Sequence, residues 1–260
     1  MEHTMGYAKK ASVLAIALAA SGVACLSAGA AAADGAGAWA GPYVGLETGG
    51  DFATNTWKAR SVGPNNVFGI NGPSHEQDLG SAGVRLGGYA GWNLPVAPNA
   101  IVGLEADIAG IAGGKKTYSG IPGINYQGLT SADSISAKSD WDASVRARAG
   151  LVVDPALLVY GTVGMALRQS DYKAGCPGNA ANSWCGQPES ASVTKTQVGW
   201  TAGAGAEGRV ADKLSLRVEY RYAGFSSTTV NAFQSFDVVS SKVDPSSHMV
   251  TLGLTYHFGH

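Results

Sequence analysis

The chain has 260 residues, of which 14% are charged, and a formal net charge of −1 at pH 7. This balance excludes nucleic-acid binding through bulk positive charge, so we predict no nucleic-acid partner. No apolar run after the first 33 residues is long enough for a transmembrane helix. The length that remains suits a single all-β barrel or sandwich.

The first 33 residues have the features of an export signal. Lys9 and Lys10 form a basic start, an apolar stretch covers residues 11–26, and small residues occupy 31–33. This pattern predicts a signal peptide that is cleaved after residue 33. The mature domain would then comprise residues 34–260.

Polar and apolar residues alternate through much of the mature chain, and this period of two predicts strands. In the segment Lys213–Tyr222, leucine, valine and tyrosine occupy one face, while lysine, serine, arginine and glutamate occupy the other. The same test predicts eight strands, at Pro42–Phe52, Ala82–Asn93, Asn99–Gly110, Asp140–Val152, Ala156–Gln169, Gln197–Val210, Lys213–Tyr222 and Ser247–Phe258.

Short and long connections alternate between the predicted strands. The short connections are Leu94–Pro98, Val153–Pro155 and Ala211–Asp212. The long ones, predicted as loops, are Ala53–Ser81, Ile111–Ser139, Ser170–Thr196 and Ser226–Ser246. Outer-membrane barrels have short periplasmic turns and long outer loops. We therefore predict an all-β, eight-stranded antiparallel up-and-down transmembrane β-barrel in the outer membrane of a Gram-negative-type cell. A soluble barrel of lipocalin type is disfavoured because its charged residues would face outwards.

The charged faces of the predicted strands share the interior of this barrel. The acidic members are Glu47, Asp51, Glu105, Asp107, Asp142, Glu207 and Glu219. The basic members are Arg85, Arg146, Arg148, Arg209, Arg217 and Arg221. An eight-stranded barrel has an interior that side chains can fill, and unpaired buried charges are costly. We predict a plug of salt bridges, and the alternative is a narrow path that conducts ions.

Aromatic residues near the predicted strand ends indicate two belts at the lipid interfaces. The periplasmic belt is predicted at Tyr43, Trp92, Tyr256 and Phe258, and the outer belt at Phe52, Trp141, Trp200 and Tyr222.

Cys176 and Cys185 are the cysteines that remain after the leader. An even pair in an exported protein predicts a disulfide that closes a small loop. The alternative is two reduced thiols in a mobile loop. A lipoprotein acylated at Cys25 is a further alternative, but Gly22 stands where such a signal usually has leucine.

Candidate catalytic residues are few, and we predict neither an enzyme nor a cofactor. An outer-leaflet enzyme would need a nucleophile, a base and a carboxylate held together. Near the outer surface, His75 with Glu76 and Ser247 with His248 are the candidates. A solvated loop histidine is the simpler interpretation.

The predicted partners follow from the barrel and its loops. We expect contacts with outer-membrane lipids, including lipopolysaccharide, whose phosphates basic residues such as Lys115 and Lys116 in the second loop would contact. The long loops are candidates for binding a host or surface ligand. The barrel is expected to be a monomer.

Four segments together resemble a known family, and the likeness extends over essentially the whole mature chain. They are residues 39–45 (WAGPYVG), residues 141–150 (WDASVRARAG), residues 216–222 (LRVEYRY) and the closing residues 256–258 (YHF). The sequence resembles the small outer-membrane β-barrel family, which includes surface-exposed immunogenic proteins of the porin superfamily and is related to the membrane domain of outer membrane protein A.

The resemblance implies a barrel that stabilises the envelope, with exposed loops and sometimes weak pore activity. It also implies that Tyr256 and Phe258 form a C-terminal signal read by the barrel-assembly machinery. Gly259 and His260 depart from the family pattern, in which the chain ends on the aromatic residue.

Overall fold

The computed structural model describes residues 35–62, 76–122, 132–178, 183, 185, 187–232 and 239–258. The predicted signal peptide lies outside these residues. A 3-10 helix, Gly35–Trp39, precedes the strands. The strands are β1 Gly41–Val62, β2 Glu76–Ala97, β3 Ala100–Gly113, β4 Lys116–Ser119, β5 Ser134–Asp154, β6 Leu157–Cys176, β7 Glu189–Ala211, β8 Leu214–Phe225, β9 Thr228–Ala232 and β10 Val239–His257.

Eight of the strands form a closed antiparallel ring in the order β1-β2-β3-β5-β6-β7-β8-β10, and β10 returns to pair with β1. The predicted barrel is therefore confirmed. The short turns on one side span residues 98–99, 155–156 and 212–213. The remaining strands, β4 and β9, lie outside the ring path and pair with β5 and β10 respectively.

Six of the eight ring strands are much longer than the sequence predicted, and the expected long loops are in large part strand. β1 has 22 residues and β7 has 23, whereas about 9–11 residues cross a membrane. The strand ends were predicted wrongly because the alternation continues beyond them with the apolar residues facing inwards and the polar residues facing outwards. Beyond Phe52, β1 turns Ala53 and Trp57 inwards and places Thr54 on its outer side.

Above this inversion the ring divides into two sheets, which we call the collar. Pairing of β2 with β3 ends at Gly83, and pairing of β7 with β8 ends at Gly199. One sheet of the collar has the order β2-β1-β10-β9, and the other has the order β4-β5-β6-β7. The collar consists of β4, β9 and the parts of the ring strands at 53–62, 76–82, 134–139, 170–176, 189–198 and 239–247.

Below the collar, the barrel has an apolar outer wall and a polar interior. Leu46, Leu86, Leu104, Met165 and Leu252 are each more than 60% exposed on the outer wall. The interior is filled by long charged side chains and tyrosine rings. Glycines make room for these rings, since a Cβ added at Gly45 would lie 2.2 Å from the Tyr89 ring.

Candidate functional site: the closed barrel interior

Arg85 is the central cation of the interior, with no exposed surface. Its guanidinium donates to Glu47 and Asp107, and its Nη2 lies 2.8 Å from Asp142 Oδ1. One planar cation therefore joins carboxylates from β1, β3 and β5. A guanidinium suits this position because it carries five donors in a fixed plane.

Arg146 and Arg217 extend this arrangement towards the periplasmic end. Arg146 donates to Glu105 and Glu219. Arg217 Nη1 lies 2.7 Å from Glu105 Oε2, and its Nη2 lies 3.0 Å from Glu47 Oε2. The Arg217 guanidinium also lies over the Tyr89 ring, 3.5 Å from its centroid. The carboxylates are thus shared between cations.

The outer end of the interior is closed by Arg168, which is 1% exposed. Its Nη2 lies 2.7 Å from Asp51 Oδ1 and 3.0 Å from Asp142 Oδ2. The guanidinium also packs 5.0 Å from the centroid of the Phe225 ring. Arg168 thus marks the boundary between the charged interior and the apolar interior of the collar.

The periplasmic end of the interior is organised by Glu207. This carboxylate accepts hydrogen bonds from Arg148 and Ser215. His257 Nε2 lies 3.1 Å from Glu207 Oε1 and 3.0 Å from Ser215 Oγ. Arg148 stacks over Tyr160, 3.8 Å from the ring centroid, and links this group to Glu105 at 3.9 Å.

We call the paired, buried groups the interior charge network. Its acids are Glu47, Asp51, Glu105, Asp107, Asp142, Glu207 and Glu219, and its arginines are Arg85, Arg146, Arg148, Arg168, Arg217 and Arg221. Arg221 joins through Asp107 Oδ1, at 2.9 Å. Because the acids and the arginines share partners, the contacts continue from Asp51 near the collar to Glu207 near the periplasm.

Two arginines differ from the sequence prediction. Arg209 was expected in the lumen network, but it lies at the periplasmic mouth and donates to the carbonyl oxygen of Ala38. Arg168 was absent from the predicted set, although it lies on the polar face of its predicted strand. Arg168 has the same parity as Thr162 and Gly164 on the polar face of this strand, and this signal would have placed it in the predicted set.

The short helix at residues 35–39 closes the periplasmic mouth, and we call it the N-terminal plug. Trp39 has no exposed surface and packs in a cluster with Ile101 and Leu158. Asn93 Nδ2 donates to the Trp39 carbonyl at 3.1 Å, and Ala36 N donates to Pro98 O at 2.8 Å. The plug is therefore held by both packing and hydrogen bonds, which the sequence did not predict.

An apolar cluster fills the collar between its two sheets. The members from the strands are Trp57, Leu79, Ile135, Ala137, Tyr172, Ala174, Cys176, Val230 and Val243. Both sheets contribute, as in a β-sandwich. The Tyr172 hydroxyl lies 3.3 Å from Asn55 Oδ1 and 3.0 Å from Gln197 Oε1. Burial raises the pKa of Tyr172, so this hydroxyl stays protonated at neutral pH.

Cys176 and Cys185 are joined by a disulfide at the top of the collar, with a Cα–Cα distance of 6.0 Å. Both residues are buried in the apolar cluster, together with Ile121. Ser183 Oγ donates to Asp133 Oδ1 at 2.9 Å. Ser183 is thus linked to Asp133, which directly precedes β5, and Cys185 is held against the apolar cluster.

The candidate catalytic pair of Ser247 and His248 is not assembled in the structure. Ser247 is buried and donates to Asp51, whereas His248 points outwards and its Nδ1 lies 2.7 Å from the Tyr220 hydroxyl. His75 lies outside the described residues. Among the described residues, Ser215, His257 and Glu207 come closest to a triad. The serine and the carboxylate contact the same ring nitrogen of His257, so the relay of a catalytic triad is not formed.

The parts of the chain that the structure describes contain no cluster of three or more metal-ligating side chains. Within those same residues, no helix is long and apolar enough to cross a membrane.

Most of the predicted aromatic belt lies on the outer wall, with Trp92, Tyr256 and Phe258 at one end and Phe52 and Trp200 at the other. Tyr43 corrects the prediction, because it is 1% exposed and its hydroxyl donates to Glu105 Oε2 at 2.9 Å. Its odd-numbered position on β1 places it inside the barrel. Tyr256 and Phe258 face outwards and touch edge to face.

A closed antiparallel ring with an apolar wall and a charged interior defines the class of transmembrane β-barrels. The match to known proteins is more specific. Residues 16–258 match the model of the outer membrane protein beta-barrel domain, and the chain belongs to this family. The protein is accordingly a protein of the outer membrane.

The curated relatives agree with this assignment. The chain is 31% identical to the 31 kDa outer-membrane immunogenic protein of Brucella melitensis, over 85% of this chain and 84% of the relative. It is 30% identical to the 25 kDa outer-membrane immunogenic protein of Brucella canis, over 85% and 79%. The outer membrane protease OmpT of Escherichia coli is 11% identical, covers 84% of this chain and 97% of its own, and has a TM-score of 0.47.

Proposed function

We propose that this protein is a closed barrel with a structural and surface-contact role in the cell envelope. The observation that carries the proposal is that the interior is filled along its length. The N-terminal plug occupies the periplasmic mouth, the interior charge network fills the middle, and the apolar cluster of the collar fills the outer end. An open pore would need a water path through all of these layers.

The outer wall supports the envelope role. Its apolar side chains match outer-membrane lipid, and above the outer aromatic belt the exposed residues of the collar include serines and threonines of β7 and β9. Tyr256 and Phe258, exposed at the end of β10, are suitably placed for recognition by the barrel-assembly machinery. We propose that the barrel inserts as a monomer, because its ring closes within one chain. Lipopolysaccharide phosphates would meet exposed collar lysines such as Lys116.

No catalytic role forms part of this proposal. The named Brucella relatives are described by their immunogenicity rather than by a reaction. The Ser–His pair that the sequence suggested is divided between the two faces of β10.

The test is the single-channel conductance of the refolded mature protein, residues 34–260, in a planar bilayer. We expect no conductance steps from protein whose insertion is verified by protease cleavage of the collar from one side. Discrete and reproducible steps from the same preparation would reject a closed barrel.

A small porin is the second candidate, and one observation favours it. The Nε–H groups of Arg146, Arg148, Arg168 and Arg217 are buried and have no acceptor among the described residues. Buried donors of this kind are commonly satisfied by ordered water. A file of such waters along the arginines would be the route for a proton or a small ion, and conductance steps in the same bilayer experiment would support it.

A further inference from the structure

The upper part of β7 is paired on one side only. Residues 190–196 pair with β6 through a continuous register. On the other side, pairing with β8 begins at Gly199. Among the residues described, no strand pairs with this side of β7 above Val198. β9 lies beside β7, with Cα–Cα distances within 8 Å, but its main-chain pairing is with β10. The two sheets of the collar therefore separate along this line.

The hydrogen-bonding groups of the open edge follow from one contact at its base. Ser226 N donates to Val198 O at 2.8 Å, so the main-chain groups of Val198 point towards the open side. In an antiparallel strand this direction alternates from residue to residue. The main-chain N–H and C=O groups that point to the open side therefore belong to Ser190, Ser192, Thr194 and Thr196.

Residues 190–196 contain no proline and no bulge, two devices that often protect an edge strand, and Lys195 is the one charged residue among them. Ser190, Ser192, Thr194 and Thr196 are all exposed. The base of the edge is held by Gln197, whose Nε2 donates to Ser226 O at 3.0 Å and to Thr228 Oγ1 at 3.1 Å. Gln197 thus fixes the position at which the two sheets part.

The side chains beside the edge define the chemistry of a partner strand. Ala191 and Val193 are partly exposed and pack against the apolar cluster of the collar. An added strand would cover them if it carried apolar residues at alternate positions. Lys195 lies on the same face of β7 as Ala191 and Val193 but is exposed. A carboxylate opposite Lys195 on the added strand would therefore be favoured.

We propose that the free edge of β7 binds an extended segment of another protein at the cell surface by strand addition. The segment would be largely uncharged, with alternating apolar residues and one carboxylate near Lys195. Main-chain hydrogen bonds supply affinity in this mode of recognition, and alternate side chains supply specificity. The inference rests on the proposed surface-contact role and names the kind of partner involved.

The experiment measures amide hydrogen exchange in the refolded mature protein in detergent. The probe is a capped decapeptide of alternating threonine and valine, with one glutamate in place of a valine. Without peptide, the amides of Ser190, Ser192, Thr194 and Thr196 should exchange rapidly. With saturating peptide, we expect their exchange to slow about tenfold or more, as hydrogen-bonded amides do.

Two variants at position 192 make the test specific. Ser192→Pro removes an N–H that points to the open side and leaves the hydrogen bonds to β6 in place. Edge strands tolerate proline at positions of this kind. It should abolish the protection by peptide. Ser192→Thr keeps the N–H and should behave as the wild type. Lys195→Gln should weaken protection by the peptide that contains glutamate.

Three results would overturn the inference. Protection of these amides without peptide, lost on deletion of residues 233–238, would mean that the chain covers its own edge. Protection that grows with protein concentration alone would mean that a second copy is the occupant. Exchange unchanged by peptide in protein of native circular dichroism would mean that the edge does not bind strands. The readout is independent of conductance, so its failure is distinguishable from that of the closed barrel.

Discussion

Trp57 of β1 and Tyr172 of β6 pack edge to face across the collar, with ring centroids 6.1 Å apart. The two residues belong to different sheets and are both 1% exposed or less. Their contact connects the sheets where the ring of the barrel has divided. The collar therefore has an apolar core of its own above the membrane.

Loss of the Trp57 ring should destabilise this core. We expect Trp57→Ala to lower the free energy of unfolding by about 3–5 kcal/mol, as for other large aromatic truncations in cores. Urea unfolding in detergent, followed together with protease sensitivity of the collar, measures the effect. The matched control is Thr54→Ala on the outer face of the same strand, with a change below about 0.5 kcal/mol. Equal effects of the two variants would contradict an apolar core in the collar.

Arg85 should be among the least replaceable residues of the interior charge network. Arg85→Met leaves Glu47, Asp107 and Asp142 without a shared cation, and we expect a loss of about 3–5 kcal/mol, as when one partner of a buried ion pair is removed. The thermal unfolding midpoint in detergent tests this expectation.

The control for Arg85 is Lys138→Met, which removes an exposed pair with Asp140. Exposed ion pairs contribute little to stability, so its unfolding midpoint should stay at the wild-type value. An Arg85 variant as stable as this control would show that the interior carboxylates tolerate the loss of their central cation.

Val218 distinguishes the lipid-facing wall from the collar. Val218 is 43% exposed on the outer wall of β8. We expect Val218→Arg to cost about 2–4 kcal/mol, the range for arginine near the middle of a bilayer. Equilibrium unfolding from lipid vesicles is the measurement. Thr229→Arg, on the exposed side of β9, should leave stability nearly unchanged. A larger loss of stability from Thr229→Arg than from Val218→Arg would contradict the placement of the membrane around the lower barrel.

The disulfide should stabilise the outer end of the collar. Cys176 and Cys185 are nine residues apart, and closing a loop of this length contributes about 2–3 kcal/mol in the chain-entropy model. We expect the double variant Cys176→Ser with Cys185→Ser to show this loss in urea unfolding. Dithiothreitol should reduce the stability of the wild type by a similar amount and leave the double variant unchanged. A reductant effect of equal size on both would assign the loss to another cause.

The alternation of polar and apolar residues is sufficient to place most interior groups correctly. Glu47, Glu105 and Arg146 are assigned to the interior because side chains in an extended strand point to opposite faces with a period of two. The same rule places Leu216 and Val218 on the lipid side. Short turns containing proline or aspartate correctly separate the strands at the periplasmic end.

The collar was missed because the rule for assigning faces assumed that lipid surrounds every strand along its whole length. Trp57, Tyr172 and Val243 each lie in a segment where apolar and polar residues alternate with a period of two. In these segments the inward face is apolar and the outward face is polar. Their period predicts strands, whereas their polarity is the reverse of the lipid-exposed part. Because the polarity is reversed in these segments, they were predicted as parts of the long loops and not as strands.

By itself, then, the sequence determined the eight strands of the lipid-exposed barrel and the two faces of each, since these follow from local period and composition. Only the tertiary structure decided which carboxylate pairs with which arginine, because the partners come from strands far apart in sequence, such as Glu47 and Arg217. It also decided that Trp39 closes one mouth and that the ring divides into two sheets at the other. These features depend on ring closure and on whether lipid or water surrounds each height of the wall, and neither is encoded in any single segment.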